Sequence, residues 1–324
     1  MRVEGGVFPA MGTVNSVVAV VGEDEKDLAA ACLGRIREKV CGLDDTLSVF
    51  KETSEVSRLN RLAGEGAVAV SEDTYQLLGA ARRYGDVTGG AFDVTAGELA
   101  SFWKAAIRDG KEPSRACIER ARALVNYRDI LLAGPEGART ARLARSGMRV
   151  DLGGIAKGYA ARLAAAELRA SGITRALVNF GGTVVAIGGP WEVGVRSPAA
   201  PRGARKVGGQ GESVLGTLAV RDQAIVTSGA YEQCRVVGGR LVHHIVDPRT
   251  GKPAASSLSS VTLVCKDPCA LDALATGAFV LGAEKAARLL AEQEVDAVMV
   301  TASGEVLVTP GLSASFIPAG LQEP

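Results

Sequence analysis

Met148-Arg149-Val150-Asp151-Leu152-Gly153-Gly154-Ile155-Ala156-Lys157-Gly158-Tyr159 reads as a short strand, a two-glycine turn and the start of a helix. The helical pattern runs on through Ala160, Leu163, Ala164 and Leu168 and stops at Ser171-Gly172, a glycine-type terminator. Glycines at a strand-to-helix turn let another group approach the backbone closely. The first helical turn leaves N–H groups without intrahelical partners, a chemistry suited to phosphate. Asp151 stands at the strand end, where a ligand can hydrogen-bond to it. Lys157 stands about one turn into the helix, where its ammonium can meet a phosphate. The stretch is neither a Walker loop nor a GxGxxG fingerprint, and by itself a tight turn with a solvated lysine accounts for it as well.

Upstream, Thr13–Val21 is β-branched and predicts a strand. Residues 24–47 place Leu28, Cys32, Ile36, Val40, Leu43 and Leu47 at spacings of three and four, one face of an amphipathic helix. Residues 48–53, with Phe50, read as an exposed or edge segment, 54–62 as a short helix, and 71–87 as a helix capped by Ser71. Helical patterns at 96–107 and 114–124 and a strand at 127–132 fall in an Arg- and Ala-rich region, about 96–147, expected as a peripheral helical lobe.

Downstream, strands dominate. They are expected at Ala176–Phe180, Thr183–Ile187, Trp191–Arg196, 213–220, 224–227, 259–266, 297–301 and 305–309, with helices at 267–281 and 284–293. Cys234–Val237 and 240–246 predict a hairpin turning at Gly238-Gly239, and the Pro-, Gly- and Arg-rich residues 198–212 predict a loop. Strands running together among helices, without a repeat or a linker, predict an α+β fold. It would have mixed and antiparallel sheets, packed helices and one domain over residues 1–324.

Composition narrows the function. The chain has 324 residues, 47% of them hydrophobic, enough for a large core. A net charge of +1 and only 4% aromatic residues argue against a nucleic-acid binder. Six scattered cysteines predict buried free thiols, since the CxxxC of Cys265 and Cys269 lacks the second pair that zinc needs. No apolar run reaches membrane-spanning length. The N-terminus carries no signal-type apolar region and no lipobox cysteine. A cytoplasmic protein is expected from the chain as written, and a periplasmic or membrane-anchored one if an export signal has been removed.

Three further constellations can carry chemistry. Asp272 and Thr276 are four apart on a predicted helix, so carboxylate and hydroxyl share a face and offer hard oxygens to Mg²⁺ or Ca²⁺. The alternative is an aspartate complementing the helix dipole and a threonine bonded to the carbonyl four residues back. His243-His244 are the only histidines; strand neighbours face opposite ways, so one of them at most enters a given site, as a base or as a bonded structural histidine. Within 89–95 (GGAFDVT), Phe92 can pack on a ring and Asp93 can accept hydrogen bonds, or the pair is a core phenylalanine and a helix cap.

These pieces, with others, resemble in order and spacing the ApbE family of FAD:protein FMN transferases. The matching segments are Met11-Gly12-Thr13, 47–60 (LSVFKETSEVSRLN), 88–99 (TGGAFDVTAGEL), 150–159 (VDLGGIAKGY), 178–182 (VNFGG), 226–231 (VTSGAY), 243–253 (HHIVDPRTGKP), 260–263 (SVTL) and 270–282 (ALDALATGAFVLG). The resemblance implies a T-fold-like α+β architecture with a deep FAD pocket between two lobes and a bound Mg²⁺. It implies transfer of FMN from FAD to a Ser/Thr hydroxyl of an acceptor flavoprotein subunit, with release of AMP. Hydrolysis of FAD to FMN and AMP is the alternative within the enzymes, and non-catalytic FAD binding the alternative outside them.

Carried over residue by residue, the metal falls to the Asp272 carboxylate, the Thr276 hydroxyl and the Gly154 carbonyl. The FAD contacts fall to Met11, Phe50, Ala91, Phe92, Asp93, Asp151, Lys157 and the backbone at Val246, and the base to His244. The chain departs from the family pattern in its missing export signal, in the Phe50 ring without a hydroxyl, and in its long basic 198–212 loop.

Overall fold

The computed structural model describes residues 2–198 and 214–319; the loop expected at 198–212 lies outside them except for Pro198. The frame is one eight-stranded sheet. Its strands are β1 (Arg2–Ala10), β2 (Thr13–Val21), β3 (Ala176–Phe180), β4 (Thr183–Ile187), β5 (Ala224–Gly229), β6 (Leu258–Cys265), β7 (Asp296–Thr301) and β8 (Val306–Val308). Neighbours in the sheet follow chain order and every pair is antiparallel. The expected α+β class is therefore what forms, because an antiparallel meander needs no helical crossover inside the sheet.

Among the described residues, eight α-helices pack around this frame: α1 (Lys26–Leu47), α2 (Glu55–Arg61), α3 (Glu72–Val87), α4 (Gly97–Asp109), α5 (Arg115–Arg122), α6 (Ala156–Ala170), α7 (Pro268–Leu281) and α8 (Ala283–Glu292). Their starts follow the sequence signals. Ser54, Ser71, Ser114 and Asp267 each accept a backbone N–H of the first turn, and Pro268 opens α7. The α1 stripe Cys32, Ile36, Val40, Leu43 and Leu47 is buried as its spacing predicts, while Leu28, in its first turn, is exposed. None of the described helices is long and apolar enough to cross a membrane.

All five residues of β4 are buried because both faces of the sheet are covered. Val185 and Ile187 join the main core with α1, α6 and α7. Val184 and Ala186 face a second core with Val195, Leu218, Val220 and Phe316, supplied by the three-stranded sheet of Trp191–Arg196, Val214–Val220 and Phe316–Pro318. A third cluster joins α4 and α5 to the hairpin of Cys234–Val237 and Arg240–His243. The segment 96–147 contains α4 and α5 and then the strands Ile130–Ala133 and Thr140–Leu143.

The structure corrects the opening stretch. Residues 148–152 form no regular strand; one parallel bridge joins Arg149 to Ala96. A side chain does the work of a neighbouring strand there. The Asn60 amide accepts from Val150 N at 2.7 Å and donates to Val150 O at 2.9 Å, while Asp151 N donates to Val94 O at 2.9 Å. Other differences are added strands and changed strand ends. The nine-residue β1 adds an edge to the sheet, where Gly5, Gly6 and Pro9 are tolerated. Val68–Ala69 and Thr140–Leu143 pair with each other, and the second hairpin strand stops at His243, leaving Val246–Asp247 to pair with Lys252–Pro253. All six cysteines are free as expected, but only Cys32 and Cys269 are fully buried.

Candidate functional site

A cavity of about 750 Å³ is lined by residues from α4, α6, α7, the β4 and β5 ends and the segment after the 234–243 hairpin. Met11, Phe50, Ala91, Phe92, Asp93, Asp151, Gly154, Lys157, His244, Val246, Asp272 and Thr276 all line it. Six separate stretches of chain thus meet at one place.

Its innermost part is built by α6 against α7. Gly158 permits the contact: a Cβ there would overlap the Pro268 carbonyl and crowd the Asp272 side chain. Gly158 N, one of the first-turn N–H groups of α6, donates to Asp272 Oδ2 at 3.0 Å. The other carboxylate oxygen faces Lys157 Nζ at 3.5 Å, and Lys157 also donates to Gly153 O at 3.0 Å. α7 is buried from Pro268 to Val280 except at Thr276, which opens to the cavity. The Thr276 hydroxyl donates weakly to Asp272 O at 3.3 Å, leaving its oxygen lone pairs unused. A Cβ built on Gly154 would lie 3.8 Å from Thr276 Oγ1 and 3.2 Å from the Phe92 ring, so the glycine carries its backbone up to both.

The other predicted residues are held as firmly. Asp151 accepts from Gly153 N at 2.8 Å and from Lys104 Nζ at 3.1 Å. Asp93 does not cap α4. It accepts from Thr95 N and Thr95 Oγ1 through one oxygen and from Tyr127 N through the other. Burial pushes its carboxyl up from the ordinary range while those bonds pull it down. Met11 turns the chain from β1 to β2 at φ 55°, followed by Gly12 at φ 70°. Phe50 is 84% exposed, an apolar ring at the rim that also lines a second cavity of about 650 Å³.

The two histidines part as strand neighbours do. His243 is buried, bonded to Ala254 O at 3.1 Å and set edge-on to Phe279. His244 enters the cavity. Burial pushes its imidazole down to about 4, with His243, Lys104 and Lys157 adding to the effect and the Gln233 backbone opposing it. It is therefore neutral at pH 7. His244 Nδ1 and Thr183 Oγ1 are buried lining atoms without a protein hydrogen-bond partner.

The lining also holds residues the sequence did not single out: Lys104, Arg196, Glu232 and Thr183. Glu232 is exposed as a residue. Its carboxyl is nevertheless pushed up by the surrounding protein, against the pull of Lys157 and Arg196. No local pattern marks these residues, since each becomes a neighbour of the site only through tertiary packing.

A divalent cation suits this arrangement. Four carboxylates (Asp93, Asp151, Glu232 and Asp272) face three cationic side chains (Lys104, Lys157 and Arg196), so the lining is short of positive charge. Asp272 is 5% exposed, and its nearest cation stands beyond good hydrogen-bond distance. Its free oxygen, the Thr276 hydroxyl and the nearby Gly154 backbone are hard oxygen donors, few in number, as Mg²⁺ prefers.

Comparison with known proteins identifies the family. The FAD:protein FMN transferase of Klebsiella pneumoniae (strain 342) is 32% identical over 289 residues, covering 89% of this chain and 88% of the relative. That of Treponema pallidum (strain Nichols) is 36% identical over 275 residues, covering 82% and 76%. The crystal structure of the ApbE protein from Thermotoga maritima superposes with a TM-score of 0.82 at 29% identity, covering 96% of this chain and 98% of that one. The family model described as "ApbE family" matches residues 11–300, which include all twelve of the residues gathered in the cavity. This chain is a member of the ApbE family.

Proposed function

We propose that this chain is an FAD:protein FMN transferase that uses Mg²⁺ and acts on a Ser or Thr hydroxyl of an acceptor flavoprotein. The observation that carries the proposal is the convergence of six distant stretches on one cavity that offers a buried carboxylate, ammonium groups and a neutral imidazole together. The relatives named for this activity lend it support over most of the chain.

In the reaction, the acceptor oxygen bonds to the FMN-side phosphorus of FAD. The bond from that phosphorus to the bridging oxygen breaks, its electron pair leaves with AMP, and the hydroxyl proton passes to a base. When bound, the metal neutralises pyrophosphate charge and orients the phosphates. The protein's residues do the rest. Lys157 presents an ammonium beside Asp272, and Phe50, Met11 and Phe92 offer apolar contact to the rings. His244 is neutral, so it can take the proton, although a loose phosphoryl transition state asks little of its base.

The test is incubation with FAD, Mg²⁺ and an acceptor carrying an exposed Ser/Thr motif, followed by intact-protein mass and AMP assay. An acceptor heavier by one FMN unit, with AMP released in equal amount, is the expected result. Free FMN and AMP without an adduct would identify a hydrolase, and unchanged FAD would refute catalysis.

A further inference from the structure

We infer that Lys104 is a second phosphate-binding ammonium of this cavity, acting beside Lys157 on the pyrophosphate of the dinucleotide. The inference rests on the proposed reading of the cavity as an FAD site.

α4 brings the residue there. Ala96, Gly97, Ala100 and Lys104 face the cavity at helical spacing, while Leu99, Trp103 and Ala106 are buried in the third cluster. Gly97 sets the approach: a Cβ on it would stand 2.9 Å from Arg149 O and 3.0 Å from Asp151 N. The helix start is thus pressed against the segment that carries Asp151, and Lys104 follows about two turns on.

The bonds then assign the roles. Asp151 spends one oxygen on Gly153 N and the other on Lys104 Nζ, so it acts as an anchor for the glycine turn and the lysine. Lys104 uses one of its three N–H donors on that bond, and its side chain is 39% exposed. Lys157 is already shared between Gly153 O and Asp272, and the Arg196 guanidinium lies over the Tyr231 ring at 5.3 Å. Lys104 keeps two N–H donors beyond its bond to Asp151, and its ammonium stands open to the cavity.

A solvated surface ion pair contributes little. This pair lies in a cavity where carboxylates outnumber cations, and both Lys104 and Lys157 act on the His244 imidazole. The two ammonium groups therefore line one cavity, to which a pyrophosphate diester brings two negative charges.

The experiment titrates magnesium-loaded wild type, Lys104→Arg and Lys104→Met with FAD. It also follows the His244 ring by NMR, in a chain with two histidines. Lys104→Met is expected to bind FAD roughly ten- to a hundred-fold more weakly, with a shallower salt dependence and a raised His244 pKa. Lys104→Arg is expected to stay within about threefold of wild type, because it keeps the charge. FAD affinity in Lys104→Met within about twofold of wild type would overturn the inference. So would an equal loss in both variants with a lowered melting temperature of the FAD-free protein, since Lys104 would then only brace the turn. A wild type that fails to bind FAD defeats the underlying reading instead, and the first titration reveals it.

Discussion

The two walls of the cavity are built on different principles. On the α6/α7 wall the contact is backbone against backbone. Gly158 brings α6 onto Pro268, its N–H holds Asp272, and α7 is buried nearly all round. On the α4 wall the contacts are side chains reaching across space. Lys104 meets Asp151, Trp103 Nε1 donates to Gly251 O at 2.8 Å, and the packing is a small cluster separate from the main core. The first wall is close-packed through backbone contacts, whereas the second is held by single side-chain bonds. The proposed use of the cavity, for a metal and a dinucleotide together, calls for both.

This contrast can be broken first at Asp272. Asp272→Asn keeps an oxygen for the Gly158 N–H but removes the charge. Transfer should fall by about a thousand-fold or more, Mg²⁺ should no longer stimulate it, and circular dichroism should stay unchanged. A wild-type magnesium response in that variant removes the metal assignment.

Next comes Gly158→Ala, which wedges the two helices apart. A loss of about 3 kcal/mol in urea unfolding is expected, with activity falling alongside. An unchanged unfolding midpoint means that the wall is softer than described here.

The pH dependence follows from His244, whose imidazole is pushed down to about 4 in the folded chain. Between roughly pH 6.5 and 4 the unfolded chain binds a proton that the folded chain refuses. Stability is therefore fully present above that window, falls as pH drops through it by up to about 3 kcal/mol, and levels off below. His243 is also pushed down, so it adds a slope of the same sign. His244→Ala should flatten the curve measurably; identical curves for variant and wild type refute the assignment.

The smallest effect is expected at Trp103→Phe, which leaves the Gly251 carbonyl without its donor. The cost is about 1 kcal/mol, read as a shift of a few degrees in melting temperature. Magnesium affinity should not move; if it does, the walls are coupled more tightly than the contrast allows.

Much of the α6/α7 wall was legible in the sequence. An apolar helix with one aspartate, and with a threonine four residues on, announces a buried charge that needs a reason. The glycine turn at 153–154 was equally plain, and the two-sided burial of β4 follows from its unbroken apolar run. The α4 wall was not legible. Lys104 lies among ordinary helix residues, and only the fold brings it to Asp151. Asn60 lies in the last turn of a helix of seven residues with nothing to show that its amide replaces a strand for Val150. Thr183 is one β-branched residue among several, and its unpartnered hydroxyl is visible only once its neighbours are known. Sequence periodicity reports burial well, but the partner of a polar group comes from distant chain.

One carboxylate on α1 governs both rim residues. Asp44 Oδ1 accepts from Met11 N at 3.0 Å, holding a non-glycine residue in the left-handed region, and Oδ2 accepts from Lys51, the residue after Phe50. The two lips of the mouth share this carboxylate, with Asp45 also accepting from Lys51, so a disturbance at Asp44 would slacken them together. Mobility at the entrance is therefore set from α1, by bonds other than those of the α6/α7 contact.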